Sequence, residues 1–350
     1  MLESIRSKTF VVLAAVSSIT LLAAAAHAQD LTVVGAGGAL QDAERKAYFE
    51  PFAEKFGVKL TEDTYTGEQA KIRAMVLSKN VTWDVIQLDN AEMITGCEEG
   101  LYEKLDWPKI GDPDDFLPVA VHPCGVGAFA WSFLFTYDQN RIAEGPKTWA
   151  EFWDLAKWPG KRGMRASARL TLEAALLADG VKPEDLYKIL ATSEGLDRAF
   201  AKLDKIKSNI VWWNAGAEPI ERLAAGDVAV TTAFNGRVSS ANQSGKHFAL
   251  VWDGQMYGQD YWGIVAGSPH KELAEKFIAF ANDPEVQSKF PEYITYGVLN
   301  KKAISMVKPE IAESMPTSAA NLKNAISFDA SFWAENDAAL TARFEAWRAQ

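Results

Sequence analysis

Arg237 stands at the end of an apolar segment, DVAVTTAFNG, that is predicted to form a strand running into Asn235-Gly236. Asn-Gly is a strong turn signal. The residues after Arg237 are small, and no acidic residue lies between Asp227 and Asp253. Such an arginine can receive an anion, ideally a carboxylate that its planar guanidinium binds through two hydrogen bonds. A solvated surface arginine is the alternative, and this segment alone does not decide between them.

Asp260 begins a second apolar segment, DYWGIVAGS, that is also predicted to be a strand. Trp262 lies two residues further on, and therefore on the same face of that strand. A carboxylate beside an aromatic ring suits a cationic amine through charge and cation–π attraction. A carboxylate that only caps a turn is the alternative.

Further aromatic residues and one glycine turn are candidates for a ligand cleft. Trp213, Tyr293 and Tyr296 each belong either in a core or on the wall of a cleft. The segment GAGGAL is not a dinucleotide loop, because Leu40 occupies the place of the last glycine. It is expected to be a tight turn before a helix, where the backbone at Gly38 could meet a ligand; a plain connecting turn is the alternative.

Catalytic and metal-binding motifs are not recognisable. The chain has neither G-x-S-x-G nor H-E-x-x-H, and His122, His247 and His270 fall in predicted loops, so a histidine-based nucleophilic site is not expected. A hydrolase with two carboxylates stays open, because acidic residues are frequent. No cysteine or histidine cluster of the metal-binding type occurs, and we expect neither a metal nor a cofactor.

The amino terminus has the pattern of a secretory signal. Arg6 and Lys8 precede an apolar run that closes on Ala26-His27-Ala28, so we expect residues 1–28 to be a cleaved signal peptide. The apolar run is short for a membrane span. The expected location of the mature protein is a bacterial periplasm.

Composition limits the partners and the covalent structure. The net charge of −10 argues against nucleic acid or anionic lipid as a partner. Cys97 and Cys124 are the two cysteines, and in an oxidising compartment they are expected to form a disulfide; two separate buried thiols are the alternative. A chain of 350 residues favours two domains.

Strands and helices alternate along most of the chain, which indicates an α/β fold with a largely parallel sheet. The long apolar segment VGAFAWSFLFTYD, residues 126–138, is predicted to be a strand that crosses between two interleaved domains. Ligands of open α/β sheets lie outside the carboxyl ends of the strands. Two such domains facing each other would therefore form a cleft at those ends.

Motifs spread over nearly the whole mature chain carry a family resemblance: QDAERKAYFEPFAEKFGVKL, WDVIQLD, GCEEGLYEKLD, TWAEFWDLAKWPGKRG, WWNAGAEPIERLAAGDVAV, FNGR, DYWGIVAGSPHKELAEKFIAF and YGVLNKKA. In this order and spacing they resemble the periplasmic solute-binding proteins of ABC importers, in the spermidine/putrescine-binding-like branch. The resemblance implies the two-lobed type II fold with a two-strand hinge, closure around a ligand, a permease as partner and a monomer. The first lobe is expected to comprise residues 29–137 plus about 260–315, and the second about 138–259 plus 316–350.

The resemblance also assigns expected roles to single residues. Polyamine binders hold one amine with an acid that matches Asp260, and they hold the other amine with acids that match Ser167 and Leu170, which are uncharged here. Their pocket aromatics match Phe234 and Tyr296. The residue after the Asn-Gly pair is small in the polyamine binders, whereas here it is arginine.

A ligand with an amine at one end and a carboxylate at the other follows from this pattern, because a buried unpaired ammonium is costly and an arginine would repel it. An ω-amino acid such as γ-aminobutyrate (GABA) fits best. We expect Asp260 to bind the ammonium and Arg237 the carboxylate, with Arg169 as a further carboxylate ligand or, alternatively, a surface helix arginine. The expected walls and backbone contact are Phe234, Trp213, Trp262, Tyr296 and Gly38.

Three other functions remain as alternatives. The first is a diamine or betaine binder with Arg237 outside the pocket. The second is a ferric-ion binder of the kind that uses adjacent tyrosines, although Tyr293 and Tyr296 are not adjacent. The third is a periplasmic enzyme, against which the missing catalytic motifs count.

Overall fold

A computed structural model describes residues 30–350, so the expected signal peptide lies outside the described residues. Ten strands are present: β1 Asp30–Gly35, β2 Lys59–Thr64, β3 Val85–Asp89, β4 Val121–His122, β5 Gly125–Tyr137, β6 Arg162–Arg165, β7 Ile210–Trp213, β8 Val230–Phe234, β9 Val251–Ile264 and β10 Ile326–Ser327.

Helices connect and flank these strands. They are α1 Gly38–Glu44, α2 Glu50–Phe56, α3 Gln69–Ser78, α4 Asn90–Glu98, α5 Trp107–Ile110, α6 Trp149–Phe152, α7 Ala168–Ala178, α8 Leu186–Leu190, α9 Ser193–Asp204, α10 Glu218–Ala225, α11 Asn235–Gln243, α12 Lys271–Ala281, α13 Pro284–Gln287, α14 Lys301–Met306, α15 Pro309–Ala312 and α16 Ala330–Arg348. A π-helical turn, Arg45–Phe49, joins α1 to α2.

All ten strands belong to one sheet, with the order β2-β1-β3-β9-β5-β8-β6-β7, while β10 pairs with β9 and β4 with β5. We call β1–β3 the first half and β6–β8 the second half. Within each half the strands run parallel. The two long strands between the halves, β5 and β9, run antiparallel to each other and to their outer neighbours. The alternating α/β pattern and the crossing strand are thus confirmed.

The long strand β5 is buried over all of its 13 residues, which explains its continuously apolar sequence. Because both faces of β5 are buried, its sequence needs no alternation of apolar and polar residues. The two halves of the sheet are therefore joined by strands that both cores share. The exact boundaries of the two predicted lobes stay a prediction.

The Asn235-Gly236 pair is not a turn, which corrects the prediction. It begins α11 directly after β8. The Asn235 side chain accepts a hydrogen bond from the Ser132 backbone N–H at 2.9 Å and donates one to the Thr295 carbonyl at 2.6 Å. A Cβ at Gly236 would lie 2.5 Å from the Tyr296 ring, so the glycine permits close packing rather than a turn conformation.

Cys97 and Cys124 form the expected disulfide, with their Cα atoms 5.8 Å apart. It ties the end of α4 to the turn between β4 and β5. Among residues 30–350, no helix combines the length and hydrophobicity that a membrane crossing needs. The same residues contain no group of three or more histidine, cysteine, aspartate or glutamate side chains placed to hold a metal ion.

Candidate functional site

A cavity of about 640 Å³ lies between the two halves of the sheet. It opens where β1, β3, β6, β7 and β8 end, which is where open α/β sheets bind ligands. Its charged lining consists of Asp89, Glu92, Arg165, Arg169, Arg237, Asp260 and Asp337. Its other lining residues include Ala36, Leu40, Tyr65, Thr66, Gly67, Gln87, Phe129, Trp131, Ser167, Leu170, Gly216, Phe234, Tyr296, Phe328 and Thr341.

Asp260 lies on the sheet, in register with Asp89 of β3 and Phe129 of β5. The Trp131 indole N–H donates to its Oδ1 at 2.8 Å, and the Gln87 amide donates to its Oδ2 at 2.6 Å. Burial raises the pKa of Asp260 to about 7, although the Gln87 hydrogen bond works in the other direction. No cation of the described chain forms an ion pair with this carboxylate, so it can accept an ammonium group.

Arg237 lies in the first turn of α11 and is almost fully buried. Its Nη2 donates to the Ala36 carbonyl at 3.3 Å. Its guanidinium fills the space between two glycines: a Cβ at Gly38 would lie 2.5 Å from Nη1, and one at Gly216 would lie 3.2 Å from Nε. The two glycines therefore leave room for the guanidinium of Arg237, which also lines the cavity.

Arg165 is a second arginine of the cavity wall, and sequence reasoning missed it. It is the last residue of β6, and its guanidinium lies 5.6 Å from the centre of the Phe234 ring. Within residues 30–350 its side chain has no hydrogen bond and no ion pair, and burial lowers its pKa. A half-buried cation without a partner favours an anion beside it, so Arg165 is also a candidate for binding an anion.

Arg169 lines the cavity too, but its guanidinium is already engaged. Its Nη1 lies 2.6 Å from Asp89 Oδ2, and its Nε lies 2.6 Å from Asp337 Oδ1. We call this trio the Arg169 bridge. It contains two carboxylates and one cation, so it carries one net negative charge when both acids are ionised.

Glu92 is the remaining acid of the wall. Its Oε1 accepts a 3.3 Å hydrogen bond from the Tyr65 hydroxyl. Burial, and then the neighbouring Asp89 carboxylate, raises the pKa of Glu92 to about 8. This carboxyl is therefore mostly protonated at neutral pH.

The chain is similar to known solute-binding proteins. A family model described as "Bacterial extracellular solute-binding protein" matches residues 47–317. The chain is 48% identical over 328 residues to a gamma-aminobutyric acid-binding protein of Pseudomonas aeruginosa, covering 94% of this chain and 93% of that protein. The chain belongs to the bacterial extracellular solute-binding proteins.

Other solute-binding relatives show the range of the family. A spermidine/putrescine-binding periplasmic protein of Escherichia coli is 23% identical, with 75% of this chain and 76% of that protein covered. A solved GABA receptor superimposes with a TM-score of 0.81 at 33% identity, covering 92% and 98% of the two chains. A glucopine-bound protein from A. tumefaciens B6 gives a TM-score of 0.86 at 31% identity, covering 91% and 100%.

This solute-binding protein has the two-lobed type II periplasmic-binding-protein fold, which confirms the predicted fold class. The strands β5 and β9, which join the two halves of its sheet, are the two-strand hinge. The cavity between the halves is the cleft of that fold.

Four of the predicted site residues come together on the cavity wall beside Arg169: Arg237, Asp260, Phe234 and Tyr296. Gly38 lies just behind the wall and contributes by making room for Arg237. Its φ of 58° suits a glycine.

Trp213 and Trp262 do not line the cavity, which corrects the prediction that they form part of its wall. Both are fully buried in the core and neither lines the cavity. The Trp213 indole N–H donates to the Thr232 hydroxyl at 3.2 Å, which turns the ring away from the cleft. Trp262 packs edge-on against Phe277.

Trp131 of β5 supplies the aromatic surface that these two tryptophans were expected to provide. It stands edge-on to Phe234 with 5.6 Å between ring centres, and both rings line the cavity. The sequence contained a signal for it, because β5 was predicted as the crossing strand and every such strand passes the cleft.

Proposed function

We propose that the protein is the substrate-binding component of an ABC importer, which captures GABA or a similar short ω-amino acid in the periplasm. Asp260 holds the ammonium group, and Arg237 holds the carboxylate with help from Arg165. The rings of Trp131 and Phe234 cover the alkyl chain between them. The names of a relative that is 48% identical and of one solved neighbour, both GABA binders, support this ligand.

The fixed charge of the cavity is the observation that carries the proposal. With Asp260 ionised and Glu92 protonated, the single negative charges of Asp260 and of the Arg169 bridge offset Arg165 and Arg237. A zwitterion adds no net charge to this balance. A diamine would add two positive charges, and Arg165 and Arg237 would repel its second amine, which is costly in a buried site.

A polyamine binder is the second candidate, and Glu92 favours it. This acid lines the cavity beside Tyr65 and would ionise next to a second amine. Arg165 and Arg237 count against it, because both would repel that amine.

Calorimetric titration of the mature protein with GABA and, in parallel, with putrescine tests the proposal. The two ligands share an amine and a four-carbon span, but GABA ends in a carboxylate where putrescine has a second amine. Binding of GABA with recovery of the ligand unchanged supports a GABA receptor without enzymatic activity. Binding of putrescine alone overturns the proposal in favour of a polyamine binder, and binding of neither overturns it altogether.

Delivery to a permease is the transport half of the proposal. It is supported by membership of the family and by the ABC transporter substrate-binding protein among the solved neighbours. Deletion of the gene should abolish uptake of labelled GABA at low external concentration. Unchanged uptake in the deletion strain would contradict the importer assignment.

A further inference from the structure

The geometry points to the Arg169 bridge as a latch: we propose that it holds the cavity closed and sets the lifetime of the bound state, without contacting the ligand. The inference deepens the proposed function, because it concerns closure of the same site. It rests on the proposed function only for the choice of GABA as a probe.

The Arg169 bridge joins three separate parts of the molecule. Asp89 is the last residue of β3 in the first half, where it also caps α4 by accepting the Glu92 backbone N–H at 2.9 Å. Arg169 follows β6 of the second half. Asp337 lies in the carboxyl-terminal helix α16, which packs against both α4 and α7. The Asp89–Arg169 ion pair therefore crosses the cleft at the cavity wall, and the Arg169–Asp337 pair ties α16 to the same arginine.

The bridge is well placed to contribute to closure. The Arg169 side chain is only 15% exposed, so its ion pairs are less screened than those on the surface. Both contacts are short hydrogen bonds between charged groups, which are the stronger kind. Opening the cleft separates Asp89 from Arg169 and leaves both groups to be solvated again.

The net charge of the bridge argues against a direct role in holding the ligand. Two of the three guanidinium nitrogens of Arg169 are engaged with carboxylates. A ligand carboxylate would approach a group that is negative overall, whereas Arg165 and Arg237 offer positive charge without a carboxylate in contact. Arg169 therefore acts on the ligand through the position of the lobes.

Backbone strain beside Arg169 gives an independent indication of a two-state segment. Leu170 has φ 70° and ψ −27°, a left-handed conformation that is unfavourable for a branched side chain. The described residues contain one other such non-glycine residue, Lys79, which ends α3. Strained conformations persist where the surroundings over-determine them. Here the bridge and the burial of the Leu170 side chain hold the conformation, and release of the bridge would let it relax.

The test compares Arg169→Gln with the unchanged protein and with Arg198→Gln as a matched control. Arg198 pairs with Asp179 on the outside of the second half, away from the cavity. Small-angle scattering of the ligand-free proteins should give a larger radius of gyration for Arg169→Gln alone. Because this measurement needs no ligand, it tests the latch even if GABA proves to be the wrong ligand.

Binding measurements then separate a latch from a ligand contact. Since a smaller closed population lowers every apparent affinity by the same factor, Arg169→Gln should weaken GABA, β-alanine and 5-aminovalerate about equally, by about 10-fold. Stopped-flow tryptophan fluorescence should show that faster dissociation accounts for most of the loss.

A second variant keeps the proposal falsifiable if Arg169→Gln folds poorly. Asp337→Asn removes one arm of the bridge from a different helix, and it should change affinity in the same direction by a smaller factor. The double variant should be no weaker than Arg169→Gln alone, because both act through one bridge. An unequal loss among the three ligands, or an unchanged radius of gyration in both variants, would overturn the latch.

Discussion

The amine end of the cavity is held by the sheet, whereas the carboxylate end is held by residues at strand ends and helix starts. Asp260 sits in strand register and receives hydrogen bonds from Trp131 and Gln87, which belong to the two neighbouring strands. Arg165 ends a strand and Arg237 lies in the first turn of a helix. The amine end is thus fixed before a ligand arrives.

The carboxylate end depends on how the two halves meet. The Arg237 guanidinium lies between Gly38 of the first half and Gly216 of the second, and it donates to Ala36. Movement of one half against the other would remove part of this support. From this difference we infer that the sheet alone positions the group that binds the amine, whereas binding of the carboxylate depends on closure of the two halves.

The largest effect is expected from Asp260→Asn. The substitution keeps the shape but removes the buried negative charge, and one of the N–H donors from Trp131 and Gln87 loses its acceptor. We expect GABA affinity to fall by about 1000-fold, as for a buried charge pair that loses one partner.

Calorimetry checks this loss, with thermal unfolding to show that the variant is folded. The matched control is Asp253→Asn, which removes an exposed acid from the same strand outside the cavity. Retention of GABA binding by Asp260→Asn would place the ammonium elsewhere and remove the contrast between the two ends.

The sequence predicted the amine end of the cavity better than the carboxylate end, for physical reasons. Apolar runs indicate strands, so β3, β5 and β8 were predicted. Asp260 was also predicted to lie on a strand, although it was expected at the start of that strand and β9 already begins at Val251. Arg165 was missed because β6, with the sequence RGMR, is too short to show an apolar run.

Tertiary contacts decided the remaining differences. The Asn235-Gly236 pair favours a turn locally, but the hydrogen bonds of Asn235 to Ser132 and Thr295 fix it at a helix start. The sequence left open whether Trp213 and Trp262 lie in the core or on the cavity wall, and the structure buries both in the core. The spacing of residues along the sequence predicts neither a hydrogen-bond partner on another strand nor whether a side chain lies in the core or in the cleft.

Arg237→Gln and Arg165→Gln test the carboxylate end and should have the next largest effects. Arg237 fills a glycine-lined space at the junction of the halves, so its loss should weaken GABA by about 100-fold; loss of Arg165 should cost about 10-fold. Butylamine, which lacks the carboxylate, should lose no affinity in either variant.

Parallel titrations of the two variants with GABA and butylamine measure this ranking. A larger loss for Arg165→Gln than for Arg237→Gln would move the carboxylate to the end of β6. An equal loss for butylamine would mean that the arginines support the cavity rather than the carboxylate.

The smallest effect concerns pH, which acts on the amine end through Asp260, whereas the arginines of the carboxylate end keep their charge near neutrality. Burial raises the pKa of Asp260 to about 7 in the ligand-free protein, and the ammonium binds the ionised form. Protonation below pH 7 therefore competes with the ligand, and GABA affinity should fall by about 5-fold between pH 7 and pH 6. The gain in affinity from ionising Asp260 should level off above about pH 8, because Asp260 is then almost fully ionised and both arginines keep their charge.

Trp131→Phe sharpens this pH prediction. Loss of the indole N–H removes a hydrogen bond that stabilises the carboxylate, which raises the pKa of Asp260 further and moves the midpoint of the affinity curve upward. Calorimetry from pH 5.5 to 8.5 on both proteins measures the midpoints. A curve that stays flat in the unchanged protein would show that Asp260 is ionised throughout, so that burial does not control the amine end. A midpoint that is the same in both proteins would assign the titration to another group, of which Glu92 is the nearest candidate on the cavity wall.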